Sequence, residues 1–445
     1  MLTSPNGLDL VLKNVQTLGE NGPRFDIGID NGIITEIGHG LSGRDEKDMD
    51  GLSVMPGVID TQVHFRDPGL THKEDLESGS RAAIMGGVTT FFDMPNTVPN
   101  TTTEELLAEK RALARNRAWA DFGFFVGASP ENIGQLKILE KLPGCPGIKI
   151  FMGSSTGSLL VEDDSLLESV LRDGVRPCPV HAEDEARLRA RKEEFGPNVT
   201  VLQHPEIRDA EAARLATARI IELCRKTRRP IHVLHISTAN ELPLLKAAKA
   251  EGLPVTCEVT PQHLALSALT AYEEHGTHAQ MNPPIRDESH RQALWQALGE
   301  GLIDVFGSDH APHSLEEKSR PYPNSPSGIP GVQTLLPWLL TWAAEGKLSY
   351  QQLIQMACRR PAELYGIERK GQIAVGFDAD LVFVNPNERW YVEPRWLQSK
   401  CGWSPFIGAE MRGKIHHVLL RGNFVVQNSS LCGLPIGRAV SFTWK

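Results

Sequence analysis

The stretch that decides the fold is PGVIDTQVHFRDPGLTHKEDLESGSRAAIMGGVTTFFDMPNT, residues 56 to 97. It holds parts of two apolar runs, VMPGVIDTQVHF and VTTFFDMP, with the charged amphipathic segment HKEDLESGSRAAIMGG between them. Apolar runs that alternate with amphipathic segments are typical of repeated strand–helix units around a parallel sheet. The stretch therefore predicts one strand–helix–strand unit with parallel strands.

Six more runs of the same kind follow along the chain. They are ADFGFFVGA, GIKIFMG, RPCPVHAED, PIHVLHIST, PVTCEVT and LIDVFGSDH, which brings the number of runs to eight. Eight parallel strands with intervening helices close into a barrel. We therefore predict the α/β class and a (β/α)₈ TIM-type barrel over residues 55–367. The length of 445 residues suits such a barrel with one accessory domain.

Strand-like text also flanks the barrel on both sides. LDLVLKNV, RFDIGIDNG and IITEIG precede it, whereas GQIAVGFDADLVFVN and HHVLLRGNFVVQ follow a Pro/Gly/Ser-rich loop at 319–331 and a helical region. Runs at both ends of a chain can pair into one sheet. We predict a small β-sandwich accessory domain built from residues 1–54 and 368–445.

The composition favours a small molecule as the partner of this chain. Lys and Arg number 46 against 55 Asp and Glu, so the net charge is −9 and offers no electrostatic footprint for nucleic acid or anionic lipid. The 7 cysteines are scattered and never form a C-x-x-C pair. This pattern argues against a disulfide framework and favours a location in the cytosol. No apolar stretch reaches the roughly 18 residues of a membrane span, and the N-terminus lacks a secretory pattern.

Polar residues end five of the eight runs. Catalytic groups of such barrels lie where the strands end, so these residues are expected to meet at one rim. They are His64, Lys149, His181, His235 and Asp309. A lone histidine at a strand end is more often structural, and a lone aspartate is more often a helix cap. The occurrence of such a residue on five different strands favours a metal site, with Zn²⁺ as the first choice and Mn²⁺ or Co²⁺ as alternatives.

The ordered motifs resemble the amidohydrolase superfamily and, within it, the dihydroorotases. The resemblance begins with the stretch at 56–97 and continues through GIKIFMG, VHAEDE, HVLHIST, EVTPQHL, MNPPIR, GSDHAPH and GQIAVGFDADLV. It covers nearly the whole chain. It implies a metal centre in which His64 and Asp309 hold one ion, His181 and His235 hold a second, and Lys149 bridges them as an N-carboxylated lysine.

Two features of this implied centre follow from chemistry. A buried ammonium is a poor ligand, whereas a lysine carbamate is an anion with two oxygens that can bridge cations; a free Lys149 amine is the alternative. Gln62 stands where the usual first-strand pattern, His-x-His, has its first histidine. A carboxamide is a weak zinc ligand. We expect one firmly held Zn²⁺ at His181 and His235, and the sequence leaves the occupancy of the second site open.

The resemblance also implies a set of substrate-binding residues. They are Arg66, Asn96, Asn282, His313, Ser327 and Gly328. Arg66 carries the substrate choice, because a guanidinium can grip a carboxylate with two hydrogen bonds and (S)-dihydroorotate carries one. The alternative for Arg66 is a salt bridge to Asp67 or Glu74. His72 and Lys73 are expected to be structural.

The implied reaction is the reversible hydrolysis of (S)-dihydroorotate to N-carbamoyl-L-aspartate in pyrimidine (UMP) biosynthesis. Asp309 is the predicted catalytic residue, taking a proton from water and passing it to the leaving nitrogen. Another cyclic-amide hydrolase, of the allantoinase or hydantoinase type, is the first alternative. A metal-poor scaffold that partners aspartate transcarbamoylase is the second, and Gln62 keeps it open. Self-association as a homodimer is expected on family analogy.

Overall fold

The computed structural model describes residues 7–20, 22–154 and 159–443. Residues 1–6 and 444–445, which belong to the predicted accessory domain, lie outside the described residues. The described strands are β1 Leu8–Thr17, β2 Phe25–Asp30, β3 Ile33–Gly38, β4 Gly43–Asp48, β5 Ser53–Pro56, β6 Val58–Val63, β7 Val88–Asp93, β8 Asp121–Phe124, β9 Val126–Gly127, β10 Ile148–Phe151, β11 Cys178–His181, β12 Ile231–Val233, β13 Val255–Val259, β14 Val305–Phe306, β15 Leu381–Tyr391, β16 Glu410–Leu420, β17 Asn423–Gln427 and β18 Ser430–Leu431.

The described α-helices alternate with the central strands. They are α1 Leu76–Met85, α2 Glu104–Ala114, α3 Leu136–Leu139, α4 Asp164–Arg172, α5 Glu185–Phe195, α6 His204–Ile207, α7 Ala210–Thr227, α8 Leu242–Ala250, α9 Pro261–Ala265, α10 Thr270–His275, α11 Glu288–Gly299, α12 Leu315–Lys318, α13 Leu335–Ala344, α14 Tyr350–Ile354 and α15 Arg360–Tyr365. A π-helical turn, Gln355–Arg359, joins α14 to α15. No described helix is both long enough and apolar enough to cross a membrane.

The strands β6 to β14 form the barrel. They lie in two all-parallel sheets, ordered β6-β7-β8 and β14-β13-β12-β11-β10-β9. On one side the two sheets are joined because the chain runs directly from β8 into β9. On the other side a parallel bridge between Val63 and His310 joins them. The (β/α)₈ prediction is confirmed, with β8 and β9 sharing one strand position.

Burial explains why these runs are so apolar. All six residues of β6 and all six of β7 are buried, because helices cover one side of a parallel strand and the barrel interior covers the other. Asp75 caps the start of helix α1, because its side chain accepts hydrogen bonds from the backbone N–H groups of Glu77 and Ser78. This cap fixes the point at which the chain leaves the barrel mouth after β6.

The two ends of the chain share one accessory sheet. Its order is β18-β17-β16-β15-β5-β1-β2-β3, with β4 paired to β1. Leu12, Val15 and Ile27 from the first part of the chain pack in one apolar cluster with Leu381 and Phe383 from the last part. An accessory β domain from both ends is therefore confirmed. Its predicted boundaries stay a prediction, and β5 runs across the one at 54/55.

A buried ion-pair network ties the accessory sheet to the amino-terminal end of β8. The Lys370 ammonium lies 2.8 Å from Asp121 and 2.5 Å from Asp380, and Arg421 also binds Asp121. The segment after β18 adds to this junction: the Phe122 N–H donates to the carbonyl of Arg438, and the Val440 N–H donates to the carbonyl of Phe122. This end of the barrel is thus closed, and the opposite end is free to carry a site.

Candidate metal centre and substrate site

A small cavity lies at the carboxyl ends of the barrel strands. It encloses about 20 Å³ of free space, which is room for an ion or a water molecule. All six predicted metal ligands and three of the predicted substrate residues line it, together with Phe151 and Ala311. These nine are Gln62, His64, Lys149, His181, His235, Asp309, Asn282, Ser327 and Gly328.

Five barrel strands bring the candidate ligands to this rim. His64 directly follows β6, Lys149 lies within β10, and His181 is the last residue of β11. His235 follows β12 by two residues, and Asp309 follows β14 by three. The carboxyl ends of parallel strands share one end of the barrel, so residues far apart in sequence meet there.

The backbone is strained at three positions around this site. Arg66, His235 and Asp309 have φ angles of +63°, +35° and +44°, in the left-handed region that non-glycine residues seldom occupy. Each such residue costs about 1–3 kcal/mol, and strain of this kind concentrates where function fixes a side chain. The folded barrel holds these three side chains in directions that an unstrained loop would not give.

His181 and His235 face each other across the cavity. Nδ1 of His181 lies 3.0 Å from Nε2 of His235, and Nε2 of His181 lies 2.8 Å from Oε2 of Glu183. Glu183 is fully buried and paired with Arg208. An ionised carboxylate only accepts hydrogen bonds, so Nε2 of His181 carries the proton and Nδ1 presents its lone pair to His235.

This pair fits a metal ion. Burial lowers the pKa of both imidazoles, so both rings are neutral, which is the state that binds metal. Nδ1 of His235 is buried and without a hydrogen-bond partner among the described residues. Nδ1 of His181 has a lone pair and no proton. Nε2 of His235, which faces it, must therefore either donate a proton to that lone pair or share a cation with it.

A second group of side chains surrounds Asp309. Its Oδ1 lies 3.3 Å from Nε2 of His64 and accepts a hydrogen bond of 3.0 Å from the Gln62 amide nitrogen. Nδ1 of His64 lies 2.7 Å from the amide oxygen of Asn96. Burial raises the pKa of Asp309 to about 7, although nearby cationic groups, including Lys149, oppose the change. The Gln62 amide oxygen is buried and has no partner among the described residues.

Lys149 lies between these two groups without an anionic contact. Its side chain is 1% exposed, and its Nζ lies 4.4 Å from the centre of the Phe151 ring. Within the described part of the chain, no hydrogen bond or ion pair holds the amine. Burial lowers the pKa of Lys149 to about 7. The imidazole, carboxylate and carboxamide donors around it suit Zn²⁺, Mn²⁺ or Co²⁺.

Arg66 lies behind the cavity wall rather than on it. It is 2% exposed, its Nε donates 3.1 Å to the carbonyl of Pro312, and a terminal nitrogen lies 3.3 Å from Nε2 of His313. The alternative salt bridges to Asp67 and Glu74 are not formed: both carboxylates have other partners. Among the described residues, Arg66 is thus a buried cation with no carboxylate in contact.

The remaining predicted substrate residues are placed in different ways. Asn96 is occupied by His64, whereas the amide oxygen of Asn282 is buried and unpartnered within the described residues. Gly328 has a φ of +153°, and a Cβ there would lie 2.2 Å from the carbonyl of Ala311. Only glycine permits this close approach beside the cavity. The roles of all predicted site residues stay predictions.

Sequence reasoning missed Glu183 and Arg208. Glu183 follows His181 by two residues in VHAEDE, and a carboxylate so close to a candidate ligand is the only signal that pointed to it. Arg208 is remote in sequence and gave none. Together they fix the orientation of His181.

A buried trio of carboxylates elsewhere has metal-like spacing. Asp121, Asp378 and Asp380 lie close together at the junction between barrel and accessory sheet. Lys370 contacts all three carboxylates, and Arg421 contacts Asp121 as well. Because cationic side chains already neutralise this trio, we assign it a structural role.

The amidohydrolase family matches residues 53–425 of the chain. This range spans the barrel and most of the accessory strands that follow it. The chain belongs to the amidohydrolase family, and the prediction of a metal-dependent cyclic amidohydrolase is confirmed.

Proteins similar to this chain include a dihydroorotase, an allantoinase and a hydantoinase. A dihydroorotase from Halobacterium salinarum is 39% identical over 390 residues, covering 86% of this chain and 89% of that protein. An allantoinase from Streptomyces avermitilis is 33% identical and covers 98% of this chain and 99% of its own. The solved structure of an L-hydantoinase (dihydropyrimidinase) from Arthrobacter aurescens has a TM-score of 0.92 at 28% identity, covering 98% of this chain and all of that one.

Proposed function

We propose that the chain is a dihydroorotase, which catalyses the reversible hydrolysis of (S)-dihydroorotate to N-carbamoyl-L-aspartate in pyrimidine biosynthesis. The proposal narrows the confirmed class to one substrate. It is supported by the dihydroorotase relative and by the chemistry of the residues around the cavity.

The observation that carries the proposal is that Arg66 contacts no carboxylate among the described residues. A buried guanidinium without an anion is costly, so the site is suited to a ligand that brings a carboxylate. Dihydroorotate has a carboxylate on its ring, whereas allantoin and hydantoin do not. His313 lies against Arg66 and also contacts the carbonyl of Ser327, which lines the cavity, so His313 connects Arg66 to the cavity wall.

The metal is proposed to be zinc, held by His181 and His235. His64 and Asp309 would hold a second ion, and Gln62 is the weak member of that set because a neutral carboxamide is a weak zinc ligand. The chemistry that the metal supplies when bound is Lewis-acid activation, which lowers the pKa of water from about 15.7 towards about 7 and polarises the amide carbonyl.

Lys149 is proposed to bridge the two ions as an N-carboxylated lysine. Its amine is buried between the two groups of ligands and has no anionic contact among the described residues. Carboxylation replaces a cation that is costly to bury with an anion that cations surround. A free amine is the alternative, and native mass spectrometry of the intact chain distinguishes the two forms.

The proton steps are assigned to this chain's own residues. Asp309 accepts a proton from the attacking water and donates it to the leaving ring nitrogen. The Gln62 amide nitrogen donates to Oδ1 of Asp309, which leaves Oδ2 for the proton. Asn282 offers a ring N–H its amide oxygen, which has no partner within the described part of the chain, and Arg66 holds the substrate carboxylate.

The free space beside the ligands is smaller than a pyrimidine ring. Pockets for small ligands usually enclose about 300–1,000 Å³, against about 20 Å³ here. We therefore propose that the wall formed by Ser327 and Gly328 moves when substrate binds. This movement would also bring the substrate towards His313 and Arg66.

A substrate panel tests the proposal. The purified protein is assayed with dihydroorotate, allantoin, hydantoin and 5,6-dihydrouracil under the same zinc loading. We expect the highest kcat/KM with dihydroorotate. The allantoinase relative makes allantoin the second candidate substrate, and a higher kcat/KM with allantoin would overturn the argument from Arg66.

Metal analysis tests the scaffold alternative. A catalyst is expected to hold at least about one zinc per chain, whereas a metal-poor scaffold for aspartate transcarbamoylase would hold much less. Homodimer formation, the association with aspartate transcarbamoylase and a cytosolic location remain predictions.

A further inference from the structure

Lys73 lies in the loop between β6 and α1, where sequence reasoning expected a structural residue. Its Nζ lies 3.1 Å from Nδ1 of His313 and 3.1 Å from Oε1 of Glu317. Oε2 of Glu317 also accepts a hydrogen bond from the backbone N–H of Ser314, the residue that caps α12. The carboxylate is thereby fixed, and it holds the Lys73 ammonium against the imidazole of His313.

These contacts determine which nitrogen of His313 carries the proton. An ammonium only donates hydrogen bonds, so Nδ1 of His313, the atom it contacts, must be the acceptor. Oε2 of Glu317 lies 3.8 Å from Nδ1, which is too far for a competing hydrogen bond. Burial and then the Arg66 guanidinium lower the pKa of His313 to about 3, so the ring has a single proton. That proton is on Nε2, which donates 3.0 Å to the carbonyl of Ser327.

The same assignment changes the meaning of the contact between His313 and Arg66. A guanidinium nitrogen always donates, and Nε2 of His313 now also donates. Their 3.3 Å separation therefore joins two donors and is not a hydrogen bond. In this structure the Ser327 carbonyl accepts the Nε2–H of His313. Movement of the wall that Ser327 and Gly328 form would release this donor, and an oxygen of a substrate carboxylate would then accept from both His313 and Arg66.

We propose that Lys73 is a positioning residue that fixes the Nε2–H tautomer of His313 and so makes His313 and Arg66 a receptor for the substrate carboxylate. The use of that receptor rests on the proposed dihydroorotase function. The tautomer itself does not, because it follows from the contacts of Lys73 and Glu317 alone.

The tautomer is measured first, by long-range ¹H–¹⁵N correlation spectra of the full-length zinc-loaded protein with ¹⁵N-labelled histidine. The His313 signals are identified by their loss in a His313→Asn variant. We expect Nδ1 to give the far-downfield shift of an unprotonated nitrogen and Nε2 to carry the proton. In Lys73→Met, which keeps the chain length but removes the donor, the Nδ1–H tautomer is expected to appear.

Kinetics then test the consequence for substrate. In Lys73→Met we expect the KM for dihydroorotate to rise about tenfold, the loss expected for one hydrogen bond to a charged group, with kcat within about twofold. His72→Asn is the matched control, because exposed His72 contacts the same oxygen of Glu317 at 3.3 Å but does not touch His313. It should change neither the spectrum nor KM.

The outcomes separate the two proposals. An Nδ1–H tautomer in the unaltered protein, or an unchanged His313 spectrum in folded Lys73→Met, would overturn the role of Lys73. An unchanged KM in Lys73→Met, despite a changed tautomer, would overturn the carboxylate receptor. If the tautomer behaves as expected but dihydroorotate is not hydrolysed by the unaltered protein, the tautomer assignment stands and the proposed function fails.

Discussion

Replacing Arg66 with methionine removes the group on which the choice of substrate depends. In the folded chain the guanidinium is 2% exposed, donates to the carbonyl of Pro312, and touches no carboxylate among the described residues. The methionine side chain fills much of the same space and leaves no buried anion unpaired. The Arg66→Met variant is therefore expected to fold, with a melting temperature close to that of the unaltered protein.

The magnitude follows from the hydrogen bonds that a carboxylate would make. Each hydrogen bond to a charged group contributes about 1.5–3 kcal/mol, so two of them contribute at least about 3 kcal/mol. This corresponds to a loss of roughly a hundredfold or more in kcat/KM for dihydroorotate. A substrate without the carboxylate should lose almost nothing.

The assay compares dihydroorotate with 5,6-dihydrouracil, which has the same ring without the carboxylate. Arg117→Gln is the control, since it removes a nearby guanidinium that pairs with Asp67 and is 36% exposed. We expect a selective loss for dihydroorotate in Arg66→Met and no selective loss in the control. An equal loss for both substrates in Arg66→Met would show that Arg66 does not bind the carboxylate.

Two further predictions concern the proton path and the acid stability of the fold. Asp309→Asn should abolish turnover without lowering the melting temperature, measured by calorimetry; residual activity near that of the unaltered protein would exclude Asp309 as the proton carrier. Burial alone would raise the pKa of Asp121, but Lys370 and Arg421 outweigh it and hold the pKa below its ordinary value. Asp121 therefore contributes stability that is present above its unfolded-state pKa of about 3.9 and is lost as the pH falls towards its folded-state pKa. Asp121→Asn should lower the free energy of unfolding by about 3 kcal/mol at pH 7 and flatten its dependence below about pH 4, measured by urea denaturation; an unchanged acid profile would contradict this.

The barrel was predictable because its strands are buried on both faces. Such strands leave continuous apolar runs, and β6 and β7 are examples. The run VMPGVIDTQVHF was harder, since it contains β5 and β6, which belong to different sheets. Periodicity does not show where a chain changes sheets. The backbone pairing of the segment around Ala439 with β8 was not predicted either, because a single parallel bridge is too short to leave a periodic pattern in the sequence.

The candidate site was predictable where strand geometry alone determines position. Residues at strand ends, such as His64 and His181, had to meet at one rim. Contacts that depend on loop conformation were not predictable: Asn96 lies against His64, and Lys73 reaches His313 across 240 positions of sequence. No spacing rule relates such residues, because the loops between the strands differ in length and path.

The most direct test of the metal centre is a crystal structure with anomalous diffraction collected on both sides of the zinc absorption edge. We predict an anomalous peak bonded to Nδ1 of His181 and Nε2 of His235, with density for a carboxyl group on Lys149. If zinc-supplemented crystals showed no peak there, with the two imidazoles hydrogen-bonded directly to each other, the account of this site as a metal centre would be contradicted.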